Sequence, residues 1–132
     1  MEAAKLEGIS LFADLEAEEL AEVAACMREV EVETGETLAS QGERAFELFV
    51  IEEGDADVLR NGEPVSKLHS GDFFGEIGLL ATGTRTASVV ATSPMRLLAM
   101  FSREFRQIER SMPAVAKTLR EAMRERVART SF

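Results

Sequence analysis

The sequence has a single cysteine, a single histidine, no long apolar run and no cluster of basic residues, and each scarcity excludes a class of protein. One cysteine cannot form an intrachain disulfide. Cys26 sits in an apolar, helix-like stretch, where a thiol serves as a small core residue rather than as a nucleophile. One histidine cannot supply the several imidazoles of a metal-holding enzymatic β-barrel, nor can a Ser/His/Asp arrangement be assembled without it. His69, beside Ser70 and Gly71, reads as a polar turn residue. No apolar run approaches the roughly 20 residues of a membrane-spanning helix. Met1 to Gly8 carries Glu2, Lys5 and Glu7 and lacks the apolar core of a secretion signal, so a cytoplasmic chain without membrane insertion is expected. Lysine and arginine number 15 against 24 acidic residues, a net charge of −9, and with no basic patch a nucleic-acid surface is not expected.

What remains is enough for one core. At 132 residues and 45% hydrophobic content, the chain is expected to be a single domain over 1–132, with no room for a second catalytic or DNA-binding unit. Its first part, 1–29, reads as helical: after Asp14 as N-cap, Leu20, Val23, Ala24 and Met27 follow the i, i+3, i+4, i+7 spacing of an amphipathic helix, with Glu16, Glu18, Glu19 and Glu22 off that stripe. From 30 to 101 short β-like runs are punctuated by Gly35, Gly42, Gly54, Gly62 and Gly71, at intervals of seven to twelve residues, the turn spacing of a barrel or sandwich. Asn61-Gly62 is the sharpest hairpin signal, joining Ala56–Arg60 to Pro64–Leu68. Phe46 to Ile51, apolar apart from Glu47, reads as a central strand covered on both faces. Two further strands meet at Ser93-Pro94. Over 102–132, Ser102 is expected to cap a short helix carrying Phe105 and Ile108, and Pro113 to open a last helix, where its missing N–H has no intrahelical role. Val115, Leu119, Ala122, Met123 and Val127 form one stripe of that helix.

The chemistry concentrates in Phe73-Phe74-Gly75-Glu76-Ile77-Gly78-Leu79-Leu80 and Thr84-Arg85-Thr86-Ala87-Ser88-Val89. Between Leu68 and Thr92 the only charged residue besides Glu76 and Arg85 is Asp72, in a chain that is 30% charged overall. A segment so poor in charge is mostly buried, and its charges need partners. If Gly75 and Gly78 turn the chain into a short helix near Glu76, the free N–H groups of its first turn form an anion nest. Arg85 adds a permanently charged fork for phosphate oxygens. Glu76 is acceptor-only and suits a hydroxyl such as a ribose 2′-OH. Together they make a nucleotide-sized pair; alternatively, Glu76 and Arg85 pair with each other and merely order a loop.

This segment resembles the phosphate-binding cassette of the cyclic nucleotide-binding domain family, which runs Phe-Gly-Glu-aliphatic-small-Leu-Leu, a short loop, then Arg-Thr/Ser/Ala-Ala-Thr/Ser/Asn-Val. The match is specific from Phe74 to Val89, and the family's layout suits nearly the whole chain. The resemblance implies a mainly β fold with flanking helices: an antiparallel β-roll or jelly-roll barrel with an N-terminal helix, a short cassette helix within 73–89, and two C-terminal helices. It implies that Glu76 binds the ribose 2′-hydroxyl and Arg85 the cyclic phosphate. Phe74, Gly75, Ile77, Thr86 and Ala87 would complete the cradle. Thr84 stands where many members have proline, and Gly78 where alanine is common; neither departure removes a ligand contact. The implied base pocket and lid are Leu59 and Val65 from the strands with Met123 and Arg126 from the last helix. Arg126 is also readable as one solvated member of the series Arg120, Arg124, Arg126 and Arg129. The implied function is a non-enzymatic sensor whose C-terminal helices move on binding cAMP or cGMP, with cAMP favoured although Thr86 permits cGMP. No metal or other cofactor is implied, and the effector has no signature in the chain. The competing class is an interaction module of the same fold that no longer binds nucleotide. Such a module should first lose Glu76 or Arg85, since unpaired buried charges are costly to keep. A transcription factor would need a helix-turn-helix unit after Phe101, and none is readable there.

Overall fold

A computed structural model of the chain describes residues 3–44, 47–75 and 84–129, with side chains through residue 125. Two 3-10 turns, Ala3–Leu6 and Ser10–Phe12, precede helix α1, Ala17–Ala25. The strands are β1 (Arg28–Val32), β2 (Thr37–Ala39), β3 (Glu47–Glu53), β4 (Ala56–Arg60), β5 (Glu63–Leu68), β6 (Phe73–Phe74), β7 (Ser88–Ala91) and β8 (Met95–Phe101). Helices α2 (Ser102–Ser111) and α3 (Pro113–Arg129) follow. The strands form two antiparallel four-stranded sheets, ordered β1-β8-β3-β6 and β2-β7-β4-β5, the β-roll with flanking helices that the pattern implies. The expected cassette helix, with Glu76 and Ile77, lies outside the described residues.

Strand alternation divides the core in two. From β3, Leu48 and Val50 point to one side, where Leu98 and Met100 of β8 join them under α1, α2 and α3. Phe49 and Ile51 point to the other, meeting Leu97 and Ala99 of β8 and Ala56, Val58, Val89 and Ala91 of the second sheet. β3 is therefore buried on both faces, as its apolar run suggests. On the helix side Val23 and Ala24 of α1, Phe105 and Ile108 of α2, and Val115, Leu119 and Met123 of α3 are all buried, each large side chain contributing about 1.5–3 kcal/mol of transfer free energy.

The turn chemistry follows the residues. Asn61 (φ 53°) and Gly62 (φ 81°) occupy the left-handed conformations that a two-residue hairpin demands, and β4 and β5 pair on either side of them. Gln41 reaches that hairpin tip with two bonds, donating from Nε2 to Asn61 Oδ1 (2.9 Å) and accepting from the Asn61 N–H at Oε1 (2.8 Å). Helix starts depart from expectation. α1 is capped at Glu16, not Asp14, because the Glu19 carboxylate three residues on accepts the Glu16 N–H at 2.8 Å; Asp14 stays in the preceding turn. Likewise Ser102 is the first helical residue of α2 and not its cap. Phe101, still extended as the end of β8, donates its N–H to Glu104 Oε1 at 3.0 Å. Cys26 ends α1, half-buried against the helix-side core, and burial, aided by the Glu104 and Glu22 carboxylates, pushes its thiol pKa up, which keeps it protonated and unreactive.

Candidate functional site

Among the described residues Arg85 is the one polar or charged side chain that is buried, at 8% exposure. Placing a guanidinium there costs several kcal/mol of solvation unless the surroundings answer it, so the way the chain holds it is informative. The backbone is clamped first. The Arg85 N–H donates to Glu43 O (2.7 Å), its carbonyl accepts from the Gly42 N–H (2.9 Å), and Thr84 bridges Arg44. The same loop is tied to β7 by the Gln41 N–H, which donates to Ser88 Oγ at 2.9 Å. Arg85 thus enters β7 from a fixed point, three residues before the strand begins.

The side chain is positioned by β3 and by the end of β6. Nη2 donates to the Glu47 carbonyl at 3.2 Å, and Glu47 Oε1 stands 3.8 Å from the same nitrogen. β6 pairs with β3 through Phe49↔Phe74 and Val50↔Phe73, and the stacked rings of Phe49 and Phe74, with centroids 5.1 Å apart, anchor the strand that delivers Gly75. Gly75 has φ +86°, and a Cβ built there would collide with Arg85 Nη1 and the Glu47 carbonyl oxygen. Glycine is required twice over, by backbone conformation and by the approach of the guanidinium. Gly75→Ala is accordingly expected to lower stability by about 1–3 kcal/mol. In a chain without tryptophan, denaturant unfolding followed by far-ultraviolet circular dichroism measures it, and an unchanged midpoint would contradict the tight packing of Gly75 on Arg85.

The other residues singled out in the sequence divide by position. Phe74 and Ala87 are buried in the inter-sheet core, so anything they offer a ligand comes from their backbone. Thr86 is exposed, and its carbonyl accepts a long bond from Arg60 Nε at 3.4 Å. Leu59 is half-buried on β4, opposite Ser88 of β7, while Val65 on β5 is 48% exposed, the large apolar side chain most open to solvent among the described residues. Both lie on the sheet that carries Arg85 into β7. Met123 differs from expectation: it is fully buried in the helix-side core with Leu11, Phe12, Val23, Phe105 and Ile108. In this conformation it anchors α3 instead of facing the cradle, because its stripe satisfies the core first. Arg126 belongs to α3, but its side chain, like Glu76 and Ile77, lies outside what is described. His69 is a turn residue, with its N–H donated to Asp72 Oδ2 (2.8 Å) and Nδ1 2.7 Å from Asp55 Oδ1 in an exposed pair. No group of three metal-binding side chains occurs among the described residues, and none of their helices is long and apolar enough to cross a membrane. Glu47 and the loop 41–43 have no local sequence signature; the sheet alone brings them to Arg85.

Comparison with known proteins agrees with this fold. The profile of the family described as cyclic nucleotide-binding domain matches residues 29–111. A cAMP-dependent protein kinase regulatory subunit of Mycosarcoma maydis is 38% identical over 109 residues, covering 76% of this chain and 21% of that protein. A cyclic nucleotide-gated potassium channel of Rhizobium etli is 32% identical over 118 residues, covering 89% and 33%. The chain therefore spans only about a fifth to a third of the length of these relatives. Among solved structures, the N-terminal domain of a transcriptional regulator from Streptomyces coelicolor superposes with a TM-score of 0.82 at 30% identity, covering 95% of this chain and 91% of that one.

Proposed function

The chain belongs to the cyclic nucleotide-binding domain family, and from that premise we propose that it binds a 3′,5′-cyclic nucleotide, cAMP in preference to cGMP, and signals through its C-terminal helices. The observation that carries the reading is the buried guanidinium of Arg85, held against a glycine that has no room for a side chain. A buried cation beside exposed backbone suits a single phosphodiester charge. Phosphate would be taken by Arg85 and the backbone around Gly75, Ile77, Thr86 and Ala87, the ribose by Glu76, and the base against Leu59 and Val65. The domain's role is regulatory: it reports ligand occupancy to an effector and makes or breaks no covalent bond.

Ligand can move α2 and α3 only by binding one of their arrangements more tightly than another. Met123 seats α3 in the core here, so a shift that carries Arg126 over the base must either pivot about Met123 or withdraw it. Isothermal titration of nucleotide-stripped protein with cAMP and cGMP tests the reading. Binding of cAMP is expected; a cGMP affinity about tenfold tighter, a difference of about 1.4 kcal/mol, overturns the preference, and binding of neither overturns the function.

The role of Glu76 is separable. Loss of the 2′-hydroxyl would leave the Glu76 carboxylate without that donor, so 2′-deoxy-cAMP is expected to bind about 1–3 kcal/mol more weakly than cAMP. Equal affinities would remove the ribose role and favour the arrangement in which Glu76 serves Arg85.

A further inference from the structure

Glu47 opens β3 and addresses Arg85 twice. Its carbonyl accepts one N–H of Nη2 at 3.2 Å, and its carboxylate lies 3.8 Å from that nitrogen. Nη2 carries two protons. One is given to the carbonyl, and the Glu47 carboxylate is an anion standing beside the same nitrogen. The two side chains differ in exposure, 8% for Arg85 and 28% for Glu47, so the carboxylate can exchange its place for water while the guanidinium cannot. Gly75 packs against both the guanidinium and the Glu47 carbonyl and leaves no room for a side chain there.

We propose that the Glu47 carboxylate is an internal counter-ion that competes with the ligand's phosphate for Nη2 of Arg85 and holds affinity below what the cradle alone would give. This rests on the reading that Arg85 takes the phosphate. Two effects act in the same direction: the phosphate must displace a carboxylate already near the cation, and the displaced carboxylate remains close to a like charge. Glu47 is also the register partner of Phe101 across β3 and β8, the residue from which α2 starts, and with Phe101, Ser102 and Arg103 it lines a groove of about 500 Å³. The counter-ion displaced by ligand therefore stands at the root of the helix pair.

The test is Glu47→Gln, which keeps the shape and the backbone carbonyl and removes the charge. In titrations with cAMP, the variant is expected to bind on the order of tenfold more tightly than wild type. Equal or weaker binding overturns the proposal. Glu47→Ala, which also keeps the carbonyl, is expected to act in the same direction and guards against an effect peculiar to the amide. If wild type binds no cyclic nucleotide, the functional reading fails. The counter-ion is then judged alone from ¹H–¹⁵N spectra of the ligand-free protein. The Nε–H signal of Arg85, identified by its loss in Arg85→Lys, is expected to shift and exchange faster with water in Glu47→Gln; an unchanged signal overturns the proposal.

Discussion

Replacing Arg85 with alanine is expected to weaken cyclic nucleotide binding by about 2–5 kcal/mol, the range for losing a charge-assisted contact in a desolvated site. Stability is expected to change far less, within about 1–2 kcal/mol. Deleting one member of an ion pair is severe when the other stays buried and unanswered, but the Glu47 carboxylate is already partly in solvent and rehydrates. The Glu47 carbonyl loses a single long bond, while the protein is relieved of a buried charge. Titration calorimetry and thermal unfolding monitored by circular dichroism give the two numbers. Affinity unchanged within error would remove Arg85 from the site; a collapse of stability with affinity preserved in the folded fraction would make it a structural residue.

Met123→Ala is expected to have the opposite profile, costing about 2–5 kcal/mol of stability as a large-to-small change at a fully buried position. Met123 lies in one buried cluster with Leu11 and Phe12 from the N-terminal turn, Val23 from α1 and Phe105 and Ile108 from α2, and interiors packed from several elements relax only partly into a vacated space. The melting temperature should fall by on the order of 10 °C, with cAMP affinity at low temperature changed less than in Arg85→Ala. A normal melting curve with faster ligand release would instead make Met123 a lid residue whose burial here is incidental. Removing everything after Ala122 is consequently a poor probe of a lid, because it also takes away this core side chain.

The features legible in the sequence are those whose physics is local. Asn61-Gly62 specifies its hairpin because few other residue pairs accept positive φ at both positions, and the run through Leu48 to Ile51 announces a strand buried on both faces because it does not alternate. Pro113 opens its helix as expected. The burial of Arg85 is legible because it is one of the few charges in a segment otherwise nearly free of them. Helix caps were less so: Asp14 and Ser102 are good capping types, but a glutamate three residues ahead of a neighbour, Glu19 for Glu16 and Glu104 for Phe101, decided each start. In the sequence Glu47 reads only as a strand residue. Its relation to Arg85 spans β3, β6 and the loop before β7, and no local periodicity encodes a contact that two sheet pairings create. The placement of Met123 was ambiguous for a related reason, since an apolar stripe on a helix says that something is covered without saying which surface covers it.

The order β1-β8-β3-β6 also dictates how the chain must be assembled. β8 is the last strand to be synthesised, yet it lies between β1 and β3, pairing Arg28 with Ala99 on one side and Phe49 with Ala99 on the other. Closing such long loops adds only about 0.6 kcal/mol for each doubling of their length, so the finished domain loses little stability by it. The burden falls on rate, because strand pairs distant in sequence form late and slowly. Until Met95–Phe101 has left the ribosome, β1 and β3 wait with unpaired edges facing the gap that β8 will fill, and an apolar segment such as Leu48–Ile51 is then a site for misassociation. A chaperone that shields an extended apolar strand would find its natural substrate in this interval, and its need would end when the central strand is inserted.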